Sequence, residues 1–186
     1  MQHTKRKFFL EFFKKGSKVG SVWPSSRFLT KRMLHPIDFS KDLVIVELGP
    51  GTGVFTKEIV KRMSKNSRLY SFELNPEFVK QLRADLPDER VKIVQDSAEK
   101  IKEYLSDDGL EKADYIVSAL PFSLFKEELR EAILSNCYNE LREGGIMTQF
   151  QYSTQCRKLF EQHFSKIKTE FTFFNIPPAF VYICKK

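Results

Sequence analysis

The stretch Leu43-Val-Ile-Val-Glu-Leu-Gly-Pro-Gly-Thr-Gly53 constrains the fold more than any other part of this 186-residue chain. An unbroken apolar run ends in an acid and a glycine cluster, and a helical pattern begins at Val54. Apolar runs of this kind mark strands buried on both faces of a parallel sheet. Glycines after such a strand permit turns and close approaches that a Cβ would obstruct. The segment reads as a nucleotide-binding strand, loop and helix. A second acid, Glu73, closes Arg68-Leu-Tyr-Ser-Phe-Glu about one strand–helix–strand unit further on.

From Lys41 onward, strand and helix alternate. Strands are expected at about 43–48, 68–73, 91–95, 114–119 and 145–151, with helices at about 54–64, 76–86, 97–106 and 125–142. Such alternation builds a parallel sheet with helices on both faces. After a further helix near 154–163 the pattern changes to two strand-like runs, Ile167-Lys-Thr-Glu-Phe-Thr-Phe-Phe and Ala179-Phe-Val-Tyr-Ile-Cys, joined by Asn175-Ile-Pro-Pro178. A connection this short forces an antiparallel hairpin.

The residues ahead of the sheet differ in composition. Residues 1–41 hold ten lysines and arginines against two acids, a net of +8, whereas the remainder sums to −1. Residues 3–15 fit a short helix with Phe8, Phe9, Phe12 and Phe13 on one face and Lys7, Glu11, Lys14 and Lys15 opposite. A basic amphipathic helix with bulky aromatics suits a membrane interface, although its phenylalanines could equally pack onto the domain. A second helix, capped by Ser25 or Ser26, is expected to run to about Leu34. The chain thus divides into a basic N-terminal arm, 1–40, and a domain, 41–186. The charge asymmetry points to an anionic partner, membrane or nucleic acid. No apolar run approaches the ~18 residues of a membrane span, and the basic, interrupted N-terminus does not read as a secretory signal. Cys137, Cys156 and Cys184 lie far apart, without metal-ligand spacing, and read as reduced thiols of a cytoplasmic protein. His3, His35 and His163 receive no catalytic role.

The order Glu47-x-Gly49-x-Gly51-x-Gly53 departs from the dinucleotide fingerprint G-x-G-x-x-G. It resembles motif I of the S-adenosylmethionine-dependent methyltransferases. A tight turn alone would explain the glycines; the acid at the matching distance is what points to a cofactor. The resemblance implies that Glu47 and the loop Gly49, Pro50, Gly51, Thr52 and Gly53 lie under the amino-acid part of S-adenosylmethionine. It places Glu73, with Leu74 beside it, on both ribose hydroxyls, and a carboxylate can accept the two hydrogen bonds. At the end of the third strand it sets Asp96, Ser97 and Ala98 against the adenine, although Asp96 or Ser97 serves nearly as well as a cap for the next helix. The implied fold is α/β, a seven-stranded Rossmann-like methyltransferase sheet. It is mostly parallel with a C-terminal antiparallel hairpin, carries helices on both faces and follows an N-terminal helical arm.

The fourth strand ends Asp114-Tyr-Ile-Val-Ser-Ala-Leu-Pro-Phe122, at the position of motif IV, beside the transferred methyl group. Ser118, Ala119 and Leu120 are its expected cofactor-side residues. Ribosomal RNA adenine dimethyltransferases carry an asparagine where this chain has Ala119, and an alanine side chain accepts no hydrogen bond from a target amine. They also generally carry a further C-terminal helical domain. These departures count against nucleic acid. Several segments instead resemble the small bacterial phospholipid N-methyltransferases: the basic start, Val19-Gly-Ser-Val-Trp-Pro-Ser-Ser-Arg-Phe-Leu29, Glu73-Leu-Asn-Pro-Glu-Phe78, Ser118-Ala-Leu-Pro121 and Asn175-Ile-Pro-Pro-Ala179.

That resemblance implies methyl transfer from S-adenosylmethionine to the amine of phosphatidylethanolamine at the inner face of a membrane. The basic arm would then act as anchor and lid, with no metal and no obligate protein partner. Tyr152 and Asn175 become candidates for holding the head group. Taken separately, each reads more simply as an edge hydroxyl and a turn residue. The alternatives are an enzyme of the ribosomal RNA adenine type and a non-catalytic S-adenosylmethionine-binding module.

Overall fold

The computed structural model describes residues 27–186. The helix expected over 3–15 and its Ser25 or Ser26 successor cap lie outside the described residues. Helix α1 (Arg27–Leu34) is followed by β1 (Val44–Leu48), α2 (Val54–Arg62), β2 (Arg68–Phe72), α3 (Pro76–Asp85) and β3 (Val91–Val94). Then come α4 (Ile101–Asp107), β4 (Ala113–Ser118), α5 (Glu127–Glu140), β5 (Leu141–Gln151), α6 (Arg157–His163), β6 (Lys166–Thr172) and β7 (Ala179–Lys185). One seven-stranded sheet runs in the order β3-β2-β1-β4-β5-β7-β6. The first five strands in sequence are parallel, and β7 inserts antiparallel between β5 and β6. This is the expected sheet with its closing hairpin.

Alternation along β1 divides the core. Val46 and Leu48 face one layer with Tyr70, Phe72, Ile116, Leu134 and Phe160. Ile45 faces the other, where Leu29, Met33 and Leu34 of α1 pack with Ile59 of α2 and Val181 of β7. Glu47 shares that second face, beneath the first turn of α2. Cys137 and Cys184 are buried in the first layer, and burial pushes both thiols up to about 12. They pack as apolar groups.

Two boundaries shift by four residues from expectation. The helix expected to reach 142 stops at Glu140, and β5 starts at Leu141, four residues early. Its register against β4 then jumps, with Leu141 opposite Ala113 but Ile146 opposite Tyr115. The cause is Gly144-Gly145: Gly144 has φ 72°, and a Cβ on Gly145 would meet Leu141 Cγ at 2.8 Å. Glycines inside a strand mark such bulges. The helix expected over 97–106 begins instead as a 3-10 turn, Ala98–Lys100, before α4.

Candidate active site

The chain reverses direction across the sheet between β1 and β4, and the crevice at such a switch point is where open α/β sheets bind ligands. Register aligns the strand ends there: Leu48 lies opposite Phe72 on one side and Ser118 on the other. The ladder continues one residue further, since Gly49 N–H donates to the Phe72 carbonyl and Ala119 N–H to the Leu48 carbonyl, both at 2.9 Å. Motif I and motif IV are therefore in contact. A Cβ on Gly49 would sit 3.1 Å from Leu120 Cδ2 and 3.8 Å from the Ala119 carbonyl carbon.

Each loop glycine has positive φ, and two of them show what that conformation is for. A Cβ at Gly53 (φ 81°) would strike Leu82 Cδ2 at 2.5 Å, so α2 starts hard against α3. A Cβ at Gly51 (φ 54°) would meet nothing within 4 Å. The loop's outer surface opens into space where a ligand can approach the backbone. Pro50 and Thr52 complete this turn.

Glu73 is buried at the tip of β2. Its Oε2 accepts from Gly51 N–H (3.1 Å) and its Oε1 from Asn75 N–H (2.8 Å). Burial raises its pKa, opposed by the amides of Asn75, Gly51 and Leu74. A carboxylate has about four acceptor positions; with two fixed by backbone, the others can take the two hydroxyls of a diol.

Glu47 is fully buried, and its Oε2 accepts from the Ser71 hydroxyl (2.6 Å). Desolvation pushes its pKa up to about 7, against the pull of Ser71 and Thr56 and with the help of the Glu73 charge. Its Oε1 and Thr56 Oγ1 are both buried without a hydrogen bond of good geometry.

At the third strand end, the capping role falls to Ser97 and not to Asp96. Ser97 caps the 3-10 turn, its hydroxyl accepting from Glu99 N–H (3.2 Å). Asp96 is half-exposed, held by Ser97 N–H (2.8 Å), by the Tyr104 hydroxyl (3.3 Å) and by Lys100 (3.6 Å). Ala98 is buried beside it, and Leu74 is half-buried.

Motif IV holds residues that the sequence reading missed. Gln149 and Gln151, buried on one face of β5, both donate to the Leu120 carbonyl, at 3.0 and 2.9 Å. That carbonyl's two lone pairs are thus taken. Ser118 is buried, with its hydroxyl 3.4 Å from the Leu120 amide. Two glutamines spaced i, i+2 on an otherwise buried strand were the available signal, because buried amides need partners.

Tyr152 follows directly. Its ring stands edge-on to Phe150 (5.6 Å) and is 54% exposed. Asn175, in the β6–β7 connection, is 3% exposed and donates to the Pro177 carbonyl (2.7 Å). Its side chain also hydrogen-bonds the Tyr152 hydroxyl; desolvation raises that phenol's pKa, and Asn175 opposes the rise. The fold thus brings both head-group candidates together at the mouth of the crevice.

This sheet order, glycine loop and acid at the second strand define an S-adenosylmethionine-dependent methyltransferase. Among solved structures, the chain resembles an O-methyltransferase from Bacillus cereus in complex with SAH, with a TM-score of 0.71 at 13% identity, covering 97% of this chain and 91% of that one. Residues 12–171 match the model of the ribosomal RNA adenine dimethylase family, and the chain belongs to that family. The chain is 31% identical over 186 aligned residues to an ornithine lipid N-methyltransferase from Singulisphaera acidiphila, covering 96% of this chain and 95% of the relative. It is 32% identical to the ribosomal RNA small subunit methyltransferase A of Mycoplasma mycoides over 103 residues, 54% of this chain and 37% of that protein.

Proposed function

We propose that this methyltransferase acts on the amine of a membrane aminolipid, with phosphatidylethanolamine as the acceptor, at the inner surface of an anionic membrane. The observation that carries the reading is the state of motif IV. Ala119 offers no side-chain acceptor, and the Leu120 carbonyl beside it is already occupied by Gln149 and Gln151. An adenine amine brought there finds neither acceptor. The similarity to an ornithine lipid N-methyltransferase over nearly both full lengths supports a lipid amine.

S-adenosylmethionine supplies a methyl group already activated on a sulfonium, so positioning carries much of the catalysis. Glu73 would hold the ribose diol, Asp96 and Ala98 would flank the adenine, and the open face of Gly51 would admit the amino-acid part. Glu47, ionised, would favour the cofactor's positive charge. Tyr152 and Asn175 would hold the head group. The exposed Tyr152 ring suits a methylated ammonium, which aromatic faces attract by about 0.5–2 kcal/mol. The amine must be neutral to attack, and a desolvated site beside a cation lowers its pKa; its proton leaves to water. Among the described residues no helix is long and apolar enough to cross a membrane. Attachment in this reading is therefore peripheral, with the basic arm as one contact.

The family match and the Mycoplasma relative favour a second reading, adenine methylation in ribosomal RNA. Expression in a bacterial host whose lipids lack methylated amines separates the two. The lipid reading predicts mono- or polymethylated phosphatidylethanolamine in the extract, by mass spectrometry. An unchanged lipid profile with newly methylated adenine in ribosomal RNA would reverse it.

A further inference from the structure

The tip of the β6–β7 hairpin exposes large apolar side chains around one buried polar residue. Phe173, Phe174 and Ile176 are 74%, 71% and 66% exposed, while Asn175 between them is buried beside Tyr152. Phe174 stacks on Phe28 of α1, with centroids 4.8 Å apart, and Phe28 is itself 53% exposed. Helix α1 is tied to the same hairpin by Arg32, which bonds Glu170 at 3.0 Å, and by His35 (3.6 Å). Four large apolar side chains are thus displayed around one hairpin tip, Phe174 against Phe28 on the α1 side and Phe173 edge-on to Phe171 at 4.5 Å. Exposed apolar groups gathered at one tip mark an interaction site.

Phe28 also lines a cavity of about 820 Å³ between α1 and α2. Arg27, Lys31, Lys57, Lys61 and Arg62 line it against one acid, Glu58. Lys57 is paired with Asp85 and Arg62 lies over the Phe39 ring, but Arg27, Lys31 and Lys61 meet no acid among the described residues. Apolar groups bordered by a cluster of cations match the cross-section of an anionic bilayer, whose acyl region lies beneath a layer of phosphates.

We propose that this face is a bilayer-docking surface built into the catalytic domain, distinct from residues 1–26. Phe173, Phe174, Ile176 and Phe28 enter the acyl boundary, and the α1–α2 groove holds anionic headgroups. The proposal rests on the lipid reading above and extends it. Because Asn175 sits between two of the inserting residues, docking would set the mouth of the crevice against the headgroup layer. An amine would then reach Tyr152 without leaving the membrane.

The test uses the full chain and sedimentation with vesicles of phosphatidylethanolamine, with or without phosphatidylglycerol. The Phe173→Ser/Phe174→Ser variant removes two mostly exposed rings and their contacts to Phe171 and Phe28, so S-adenosylmethionine affinity should stay native and the melting temperature should drop by only a few degrees, while vesicle partitioning falls roughly tenfold or more. Lys31→Glu/Lys61→Glu should lose binding only to vesicles containing phosphatidylglycerol. Phe173→Trp, added to the single native tryptophan Trp23, should gain emission that is quenched by brominated acyl chains. Native partitioning by the serine variant, absence of that quenching, or charge-dependent binding to RNA without vesicle binding would overturn the proposal. Methyl transfer to lipid dispersed in detergent micelles is the separate readout. If it fails while partitioning depends on Phe173 and Phe174, the choice of substrate is wrong and the docking surface stands.

Discussion

Replacing Glu47 with glutamine removes an ionisable group from beneath the glycine loop and leaves its shape. The native carboxyl has its pKa pushed up to about 7 by complete burial, from an ordinary 4.5. Below pH 4.5 it is neutral in both folded and unfolded chains, and no penalty arises. As pH rises from 4.5 to 7, the unfolded chain loses the proton first, so stability falls; above 7 the folded protein bears the full cost of a buried charge. At ~1.4 kcal/mol per pH unit the gap amounts to about 3 kcal/mol. Glutamine pays none of this. Its carbonyl can still accept from Ser71, and its amide can donate to the Thr56 hydroxyl, which now faces the carboxylate. Glu47→Gln should therefore melt roughly 6–12 °C above the native apo-protein at pH 8, by calorimetry, with the difference vanishing toward pH 4.5. A pH-independent difference, or a variant less stable than native at pH 8, refutes the reasoning.

The same group links cofactor binding to pH. A cation bound over Glu47 favours its ionised form, so titration with S-adenosylmethionine near pH 6.5 should release protons, seen as a buffer-dependent enthalpy that Glu47→Gln abolishes. Glu73→Ala removes two charge-assisted acceptors worth ~1.5–3 kcal/mol each and should weaken S-adenosylmethionine at least about 10²-fold in the same calorimeter. Gln151→Leu leaves the Leu120 carbonyl one donor. Turnover should fall while cofactor affinity holds, and an unchanged kcat would show that the Gln149 bond alone fixes motif IV. Tyr152→Ala should raise KM for lipid more than Tyr152→Phe does, since the phenyl face remains; equal effects would remove the ring from the site.

Most of the sheet could be read because short apolar stretches alternate with helical patterns and several end in an acid, a serine or a glycine. The ladder sets Leu48 level with Phe72 and Ser118, so Glu47 and Glu73 lie one residue before and one residue after that line. What stayed hidden depends on pairing across the chain. Tyr152 and Asn175 are 23 residues apart, and only the hairpin return of β7 along β5 brings them together. The grip of Gln149 and Gln151 on Leu120 needs the β4–β5 register, which the Gly144-Gly145 bulge sets. The early start of β5 has the same origin, because a helical pattern running into glycines does not reveal a bulge beyond them. Asp96 and Ser97 were both plausible caps, and only the observed turn separates them.

Label transfer decides whether the acceptor is a lipid amine. Purified protein with methyl-labelled S-adenosylmethionine should be offered, in parallel, vesicles of phosphatidylethanolamine with anionic lipid, the same vesicles with ornithine lipid in place of phosphatidylethanolamine, and small-subunit ribosomal RNA. Label should enter the lipid phase only where phosphatidylethanolamine is present, and none should enter RNA. Label confined to RNA would contradict the lipid reading.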